Sequence, residues 1–242
     1  MSGTDLPPSP SPAPLRISVI VPTLNEADGV GRCLASLRAA AVDEIIVVDG
    51  GSHDGTLERA RAQADRVFEG ESDLFAQLNR GAREATGEVL LFHYADVLFP
   101  AGGRSAIEGA LQTPDRCGGA FRLVFASPER RYRVTACLAN LRNRCGIGPF
   151  GDQSIFVRAA VFAEVGGFQE ALAFADHALV RRLHRAGRFT LLETAVQASA
   201  RRWEQLGFFR TLAFHYGMYV RYFAPLQQAR TRAKARELRT VR

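Results

Sequence analysis

Two apolar runs open the readable part of the chain. Ile17-Ser-Val-Ile-Val-Pro-Thr-Leu-Asn-Glu26 and Glu44-Ile-Ile-Val-Val-Asp-Gly-Gly-Ser-His-Asp-Gly-Thr56 each pass abruptly from β-branched residues to small and acidic ones. Near-continuous Ile/Val is the pattern of a strand buried on both faces, as parallel sheets require. The spacing predicts strands over 16–21 and 44–49. Helices are expected over 28–40, with Val30, Leu34 and Leu37 on one face, and over 54–64, with Asp54 near its start. A short strand at 66–69, a helix at 73–86 that Gly87 can end, and a strand at 88–93 continue the rhythm. Pro100 and Gly102-Gly103 open the next helix.

After Cys117 the pattern loosens. A strand over 119–125, an amphipathic helix over 131–145 and a strand over 153–158 are expected, and residues 187–198 carry no assigned element. The alternation predicts an α/β fold, a mostly parallel sheet flanked by helices in one domain. The expected boundaries are a disordered Pro/Ser-rich leader at 1–14, a single domain at 15–204, and a C-terminal helical extension at 205–242.

Polar residues placed just after parallel strands line the crevice where open α/β sheets bind ligands. The loops Pro22–Glu26 and Asp49–Asp54 are therefore candidate walls of one nucleotide-sized pocket. Asn25, Glu26 and Asp49 are suited to accept from a base and a ribose; alternatively Asn25 caps the following helix and Asp49 merely ends its strand.

Composition narrows the chemistry. Lys234 is the one lysine, so a P-loop lysine or a Schiff-base lysine is absent from the body of the chain. No G-x-x-x-x-G-K-S/T or G-x-S-x-G string occurs. Residues 201–242 hold ten basic and two acidic residues, a balance of +8 within a net +6, which leaves residues 1–200 at −2. The mildly acidic body argues against nucleic-acid binding. Four cysteines without a C-x-x-C pair and no apolar signal region lead to the expectation of a reduced, cytoplasmic protein.

The paired opening motifs resemble those of glycosyltransferase family 2, the inverting nucleotide-sugar transferases with the GT-A (Rossmann-like) fold. The resemblance continues through Gln77-Leu-Asn-Arg-Gly-Ala82, Ala85-Thr-Gly-Glu88, Leu91-Phe-His-Tyr-Ala-Asp96 and Gly118-Gly-Ala-Phe-Arg122. It extends to Gly151-Asp-Gln-Ser-Ile-Phe-Val-Arg158, Gly166-Gly-Phe168 and Ser199-Ala-Arg-Arg-Trp-Glu204. The last three look like a compact bacterial branch associated with arsenosugar biosynthesis.

What the resemblance implies is a hexosyltransferase-like, metal-dependent enzyme. Pro22, Thr23, Asn25, Glu26, Asp49, Gly50, Gln77, Asn79 and Ala95 would line the donor site. Asp96 would bind Mg²⁺ or Mn²⁺, with Tyr94 standing where the family's first acidic residue is found. Asp176 would be the general base, although Ala175 and Ala178 replace acidic neighbours. The alternatives are that Asp96 caps its loop and Asp176 caps a helix at 177–186. Asp152, Gln153, Arg201, Arg202 and Trp203 are candidates for acceptor or phosphate contacts. Ser199 takes the place of the Gln in the processive relatives' Q-x-x-R-W, which points to single-residue transfer. His177 and His184 share a helical face without a third ligand nearby.

The expected partners are a nucleoside diphosphate sugar and a small-molecule or lipid-linked acceptor, with no nucleic acid. The aromatic segment Gly207–Leu226 is too polar to span a bilayer; with the basic tail it fits packing, a homodimer through 205–242, a lid over the acceptor site, or peripheral contact with the inner face of the membrane. A catalytically degenerate nucleotide- or partner-binding protein is the competing expectation.

Overall fold

The computed structural model describes residues 14–70, 72–144, 148–170 and 174–214, together with 217 and 220. Residues 1–13 of the expected leader and most of the 205–242 extension lie outside the described residues. Strand β1 (Ile17–Thr23) and strand β2 (Glu44–Asp49) are buried at every position and pair in parallel, Ser18 opposite Glu44 through Thr23 opposite Asp49. Strand β3 (Arg66–Glu69) extends β2 in parallel, and strand β4 (Val89–Phe92) lies parallel on the other side of β1. Four strands thus end at one edge, each followed by a loop.

The second half turns the sheet. Strand β5 (Val97–Leu98), strand β6 (Arg116–Phe125), strand β7 (Ile155–Arg158) and strand β8 (Arg188–Ala198) complete an eight-stranded sheet in the order β3-β2-β1-β4-β7-β6-β8-β5. Strand β7 runs antiparallel to both β4 and β6, β8 is parallel to β6, and β5 is antiparallel to β8. Four of the seven pairings are parallel, so the sheet is mixed with a parallel majority.

Strand β8 is the element that periodicity did not reveal. Its sequence R-F-T-L-L-E-T-A-V-Q-A interleaves charged and apolar residues irregularly, because its register against β6 slips between Ala120 and Arg122 and the inward face changes there. The expected terminator Gly87 also has another role. Helix α3 (Leu74–Glu84) stops earlier, and the Gly87 N–H donates to Ser18 Oγ at 2.8 Å.

Helices cover both faces. Helix α1 (Ala27–Ala39) and helix α4 (Gly103–Ala110) pack on Val19, Val21, Ile45, Val47 and Leu91. Leu78 of α3, Phe162 of helix α6 (Ala159–Glu164), and Leu179 and Leu183 of helix α7 (Ala175–Ala186) pack on Ile20, Leu90 and Phe92. Alternate β1 residues thus feed opposite cores, the two-sided burial its composition demands. Helix α2 (Thr56–Arg61) follows β2, helix α5 (Arg130–Arg144) lies against β6, and helix α8 (Arg201–Leu206) follows β8.

Gly119 of β6 is required by close approach: a Cβ there would lie 2.2 Å from the Thr190 carbonyl oxygen and 2.5 Å from the Phe156 ring. Gly119→Ala is expected to cost about 1–3 kcal/mol through overpacking. Gly109→Ala in α4, with nothing within 4 Å of the added methyl, is expected to gain about 0.5–1 kcal/mol. Chemical denaturation of the two variants measures both, and opposite signs are the expected outcome.

Candidate active site

The loops after β1 and β2 are tied into one wall. Asp49 is fully buried; its carboxylate accepts from the Thr23 hydroxyl at 2.8 Å, the Ser52 hydroxyl at 2.6 Å, and the Gly51 and Ser52 N–H groups at 2.9 and 2.7 Å. Burial alone would raise its pKa, but these donors hold it below the usual carboxylate range. Asn25, in the left-handed region at φ 54°, accepts from the His53 N–H at 3.0 Å. Asp54 accepts from the Ala27 N–H at 3.1 Å and from Thr56. Pro22 lies opposite Val48 in the sheet, and the Gly50 N–H donates to the Thr23 carbonyl at 2.8 Å.

Glu26 connects this wall to the distant end of the domain. Its carboxylate accepts from Arg201 at 2.7 Å and Arg202 at 3.3 Å, and Arg201 also pairs with Asp28 at 2.9 Å. Its pKa is nonetheless raised, first by burial and then by the nearby Asp96 carboxylate, the two arginines pulling the other way. Asp96 is itself raised by burial, opposed chiefly by Arg202. Its loop sits close on α1: a Cβ at Gly29 would lie 2.9 Å from the Ala95 carbonyl oxygen.

Tyr94 marks the centre of the site. A Cβ on Gly151 would lie 2.1 Å from its hydroxyl oxygen, so the ring rests directly on the Gly151 backbone. The phenol is kept protonated by burial and by the carboxylates of Asp176, Asp152 and Asp96 around it. Three acids distant in sequence therefore converge on one hollow. Asp176, 7 % exposed in the first turn of α7, accepts from the Gly151 N–H at 3.0 Å and the His177 N–H at 2.8 Å. Its pKa is pushed up to about 6, by burial first and by Asp152 further, with Gly151, His177 and Arg142 opposing. Asp152 is likewise pushed up to about 6 by burial, with Asp96 adding to it and Arg142 of α5 opposing. Among the described residues its Oδ1 is buried and has no hydrogen-bond partner.

His93 holds the loop that presents Tyr94 and Asp96. Its Nε2 lies 3.0 Å from the Val97 carbonyl, which can only accept, so Nε2 carries the proton. Nδ1 then accepts from the Ser154 hydroxyl at 2.7 Å. Burial pushes its pKa down to about 4, so the ring stays neutral.

Other expected site residues make contacts within the protein. Asn79 accepts from the Phe168 N–H and donates to the Phe168 carbonyl, both at 2.9 Å, which ties α3 to Phe168. Gln77 is buried on α3. Gln153 is fully buried, donating to the Phe121 carbonyl at 3.0 Å. Trp203 packs its indole edge-on against Phe125, ring centres 5.9 Å apart, and against Phe208. His177 is buried, whereas His184 packs on Phe189. Arg142, with its guanidinium 4.2 Å from the Phe150 ring centre, belongs to the acidic hollow although no sequence motif singled it out. Nothing in its local pattern distinguishes it from the other arginines of α5.

No three His, Cys, Asp or Glu side chains among the described residues group tightly enough to hold an ion by themselves. Asp96 alone still fits Mg²⁺ or Mn²⁺, ions that take one or two carboxylates and fill their remaining positions with phosphate oxygens and water. The donor set fits an ion arriving with a diphosphate, not one caged by protein.

The model of the Glycosyl transferase family 2 matches residues 18–146, and the chain belongs to that family. A "PGL/p-HBAD biosynthesis glycosyltransferase" of Mycobacterium bovis is 40 % identical over 167 residues, 62 % of this chain and 62 % of that protein. The solved mannosyltransferase PcManGT from Pyrobaculum calidifontis, in complex with GDP-Man and Mn²⁺, superposes with a TM-score of 0.59 at 21 % identity, covering 81 % of this chain and 60 % of that one. Glucosyl-3-phosphoglycerate synthase from Mycobacterium tuberculosis, with Mn²⁺, UDP and glucosyl-3-phosphoglycerate, gives 0.58 at 21 % identity over 80 % of this chain and 75 % of that one. The chain thus spans about three fifths of the mycobacterial relative and of the archaeal enzyme. The fold is of the GT-A type.

Because Asp152 and Asp176 both titrate above the free carboxyl, the folded chain keeps protons that the unfolded chain has lost between about pH 4 and 6. Stability is therefore expected to fall as pH rises through that window. Asp152→Asn removes the charge and is expected to be about 1–3 kcal/mol more stable than wild type at pH 8, with the difference vanishing at pH 4. Urea titrations at the two pH values measure it.

Proposed function

We propose that the chain transfers a sugar from a nucleoside diphosphate sugar to a hydroxyl acceptor with inversion at the anomeric carbon. The observation that carries this reading is the buried Asp176 carboxylate, with a pKa of about 6, bonded to the Gly151 N–H on which Tyr94 rests and grouped with Asp96 around that phenol. A base poised near neutrality is what proton removal from an alcohol demands. In the step we infer, the acceptor oxygen forms its bond to the anomeric carbon as the bond to the diphosphate breaks. The hydroxyl proton passes to Asp176, and the nucleoside diphosphate leaves with the electron pair. One direct displacement inverts the centre.

The β1 and β2 loops would seat the nucleoside. Glu26 would accept from the base or ribose; Asp49 would act by holding the Gly51–Ser52 turn, since its own lone pairs are taken by Thr23, Gly51 and Ser52. Arg202, two-thirds exposed and only loosely paired with Glu26, is the cation placed to meet phosphate. A divalent ion on Asp96 would supply positive charge to the diphosphate leaving group. The neighbours' GDP-Man, UDP and Mn²⁺ support this assignment of donor class and ion. The acceptor hydroxyl would lie on the Asp152 side, beside Arg142. The motifs at Gly151–Arg158, Gly166–Phe168 and Ser199–Glu204 support placement in the arsenosugar-associated branch. A degenerate, binding-only protein is the second reading, favoured by Tyr94 occupying an acidic position.

Asp176→Asn is expected to lower turnover by about 10²–10⁴-fold while leaving donor affinity intact. The wild-type rate should climb through about pH 6 as the carboxyl ionises. Unchanged turnover in the variant would refute the base, and wild type without turnover on any donor would favour the binding-only reading. Asp96→Ala is expected to abolish the increase in nucleoside diphosphate affinity that Mn²⁺ gives wild type, measured by calorimetry; an unaltered increase would place the ion elsewhere.

A further inference from the structure

Helix α5 carries apolar residues on two opposite sides. Tyr132, Ala136 and Asn143 point inward and are buried at 0, 6 and 7 % exposure. On the opposite side Val134, Leu138 and Leu141 are 51, 59 and 53 % exposed, with exposed Cys137 between them. The spacing i, i+3, i+4, i+7 makes a continuous apolar stripe that faces away from the protein. Exposed Arg130 heads this stripe and exposed Arg133 borders it. Beside it opens a cavity of about 400 Å³, whose wall includes apolar Leu123, Phe125 and Leu191 and charged Arg122, Arg133 and Glu193.

The charge pattern identifies what covers this face. Helix α5 carries five arginines and no acidic residue. A second copy would bring exposed Arg130 and Arg133 of each chain together, with the adjacent Glu129 already paired to Arg131. Residues 221–242 hold seven basic residues against Glu237, the same sign as Arg130 and Arg133. An apolar stripe bordered by arginines suits a surface that is greasy within and anionic at its edge, where guanidinium groups reach phosphate while their stems stay in the apolar layer. No helix among the described residues is long and apolar enough to cross a membrane, so contact by this helix is interfacial.

We propose that the outward face of α5 docks on the surface of an anionic lipid bilayer. The proposal stands independently of the transferase reading.

The test is co-sedimentation of the full chain, without nucleotide sugar, with phosphatidylcholine vesicles that contain or lack phosphatidylglycerol. Wild type is expected to pellet with the anionic vesicles only. Leu138→Glu/Leu141→Glu and Arg130→Glu/Arg133→Glu are each expected to weaken binding roughly tenfold or more, with thermal midpoints unchanged because these side chains point outward. If the Glu pair does not fold, Leu138→Ser/Leu141→Ser replaces it. Wild type left in the supernatant with both vesicle types overturns the proposal. So does undiminished binding by the stripe variants, which would move the contact elsewhere. A wild-type dimer that the stripe variants convert to monomer in vesicle-free sedimentation velocity would likewise overturn it, assigning the face to self-association.

Discussion

The Tyr94 ring lying on the bare backbone of Gly151 is the contact on which the rest of the site depends. It joins the loop after β4 to the turn before β7, and so brings Asp96 and Asp152 to the same hollow. Any side chain at position 151 would drive the phenol out. Neutral His93 fixes the near side of this contact through Val97 and Ser154, and the Gly151 N–H fixes the far side by donating to Asp176. Sheet topology makes the meeting possible: β7 lies antiparallel beside β4, so the start of one strand adjoins the end of the other.

Gathering carboxylates in a partly dry hollow is unfavourable, and the chain answers with cations from remote elements. Arg142 arrives from α5, and Arg201 and Arg202 from the start of α8. They do not cancel the burial, because Asp96, Asp152, Asp176 and Glu26 all remain shifted upward. A divalent ion bound there would offset the remaining like-charge repulsion. Backbone strain follows the same geography. Among the described residues four non-glycines hold positive φ: Asn25, Ser154 and Phe174 beside this site, and Ala41 in the turn after α1.

What the sequence disclosed was unequal for physical reasons. Strands β1 and β2 were readable because burial on both faces leaves an unbroken Ile/Val run. The polar loops after them were readable because small and acidic residues follow immediately. Strand β8 was hidden by its slipped register, and two-residue β5 is too short to show any period. Asp96 and Asp176 came from resemblance, and only the folded chain reveals that they face one phenol. Arg142 had no local signature at all. Asn79 and Gln153 show the converse difficulty: an amide within a family motif reads as ligand-facing, yet here both are bonded to main chain.

The central claim is that this hollow accepts a divalent ion and a nucleoside diphosphate together, deprotonating its raised carboxyls as it does so. Calorimetry of UDP and GDP binding near pH 6, with and without Mn²⁺, in buffers of different ionisation heat, addresses that directly. The expected result is Mn²⁺-dependent binding of at least one nucleotide, accompanied by net proton release. Binding indifferent to the ion, with no proton exchanged, would contradict it.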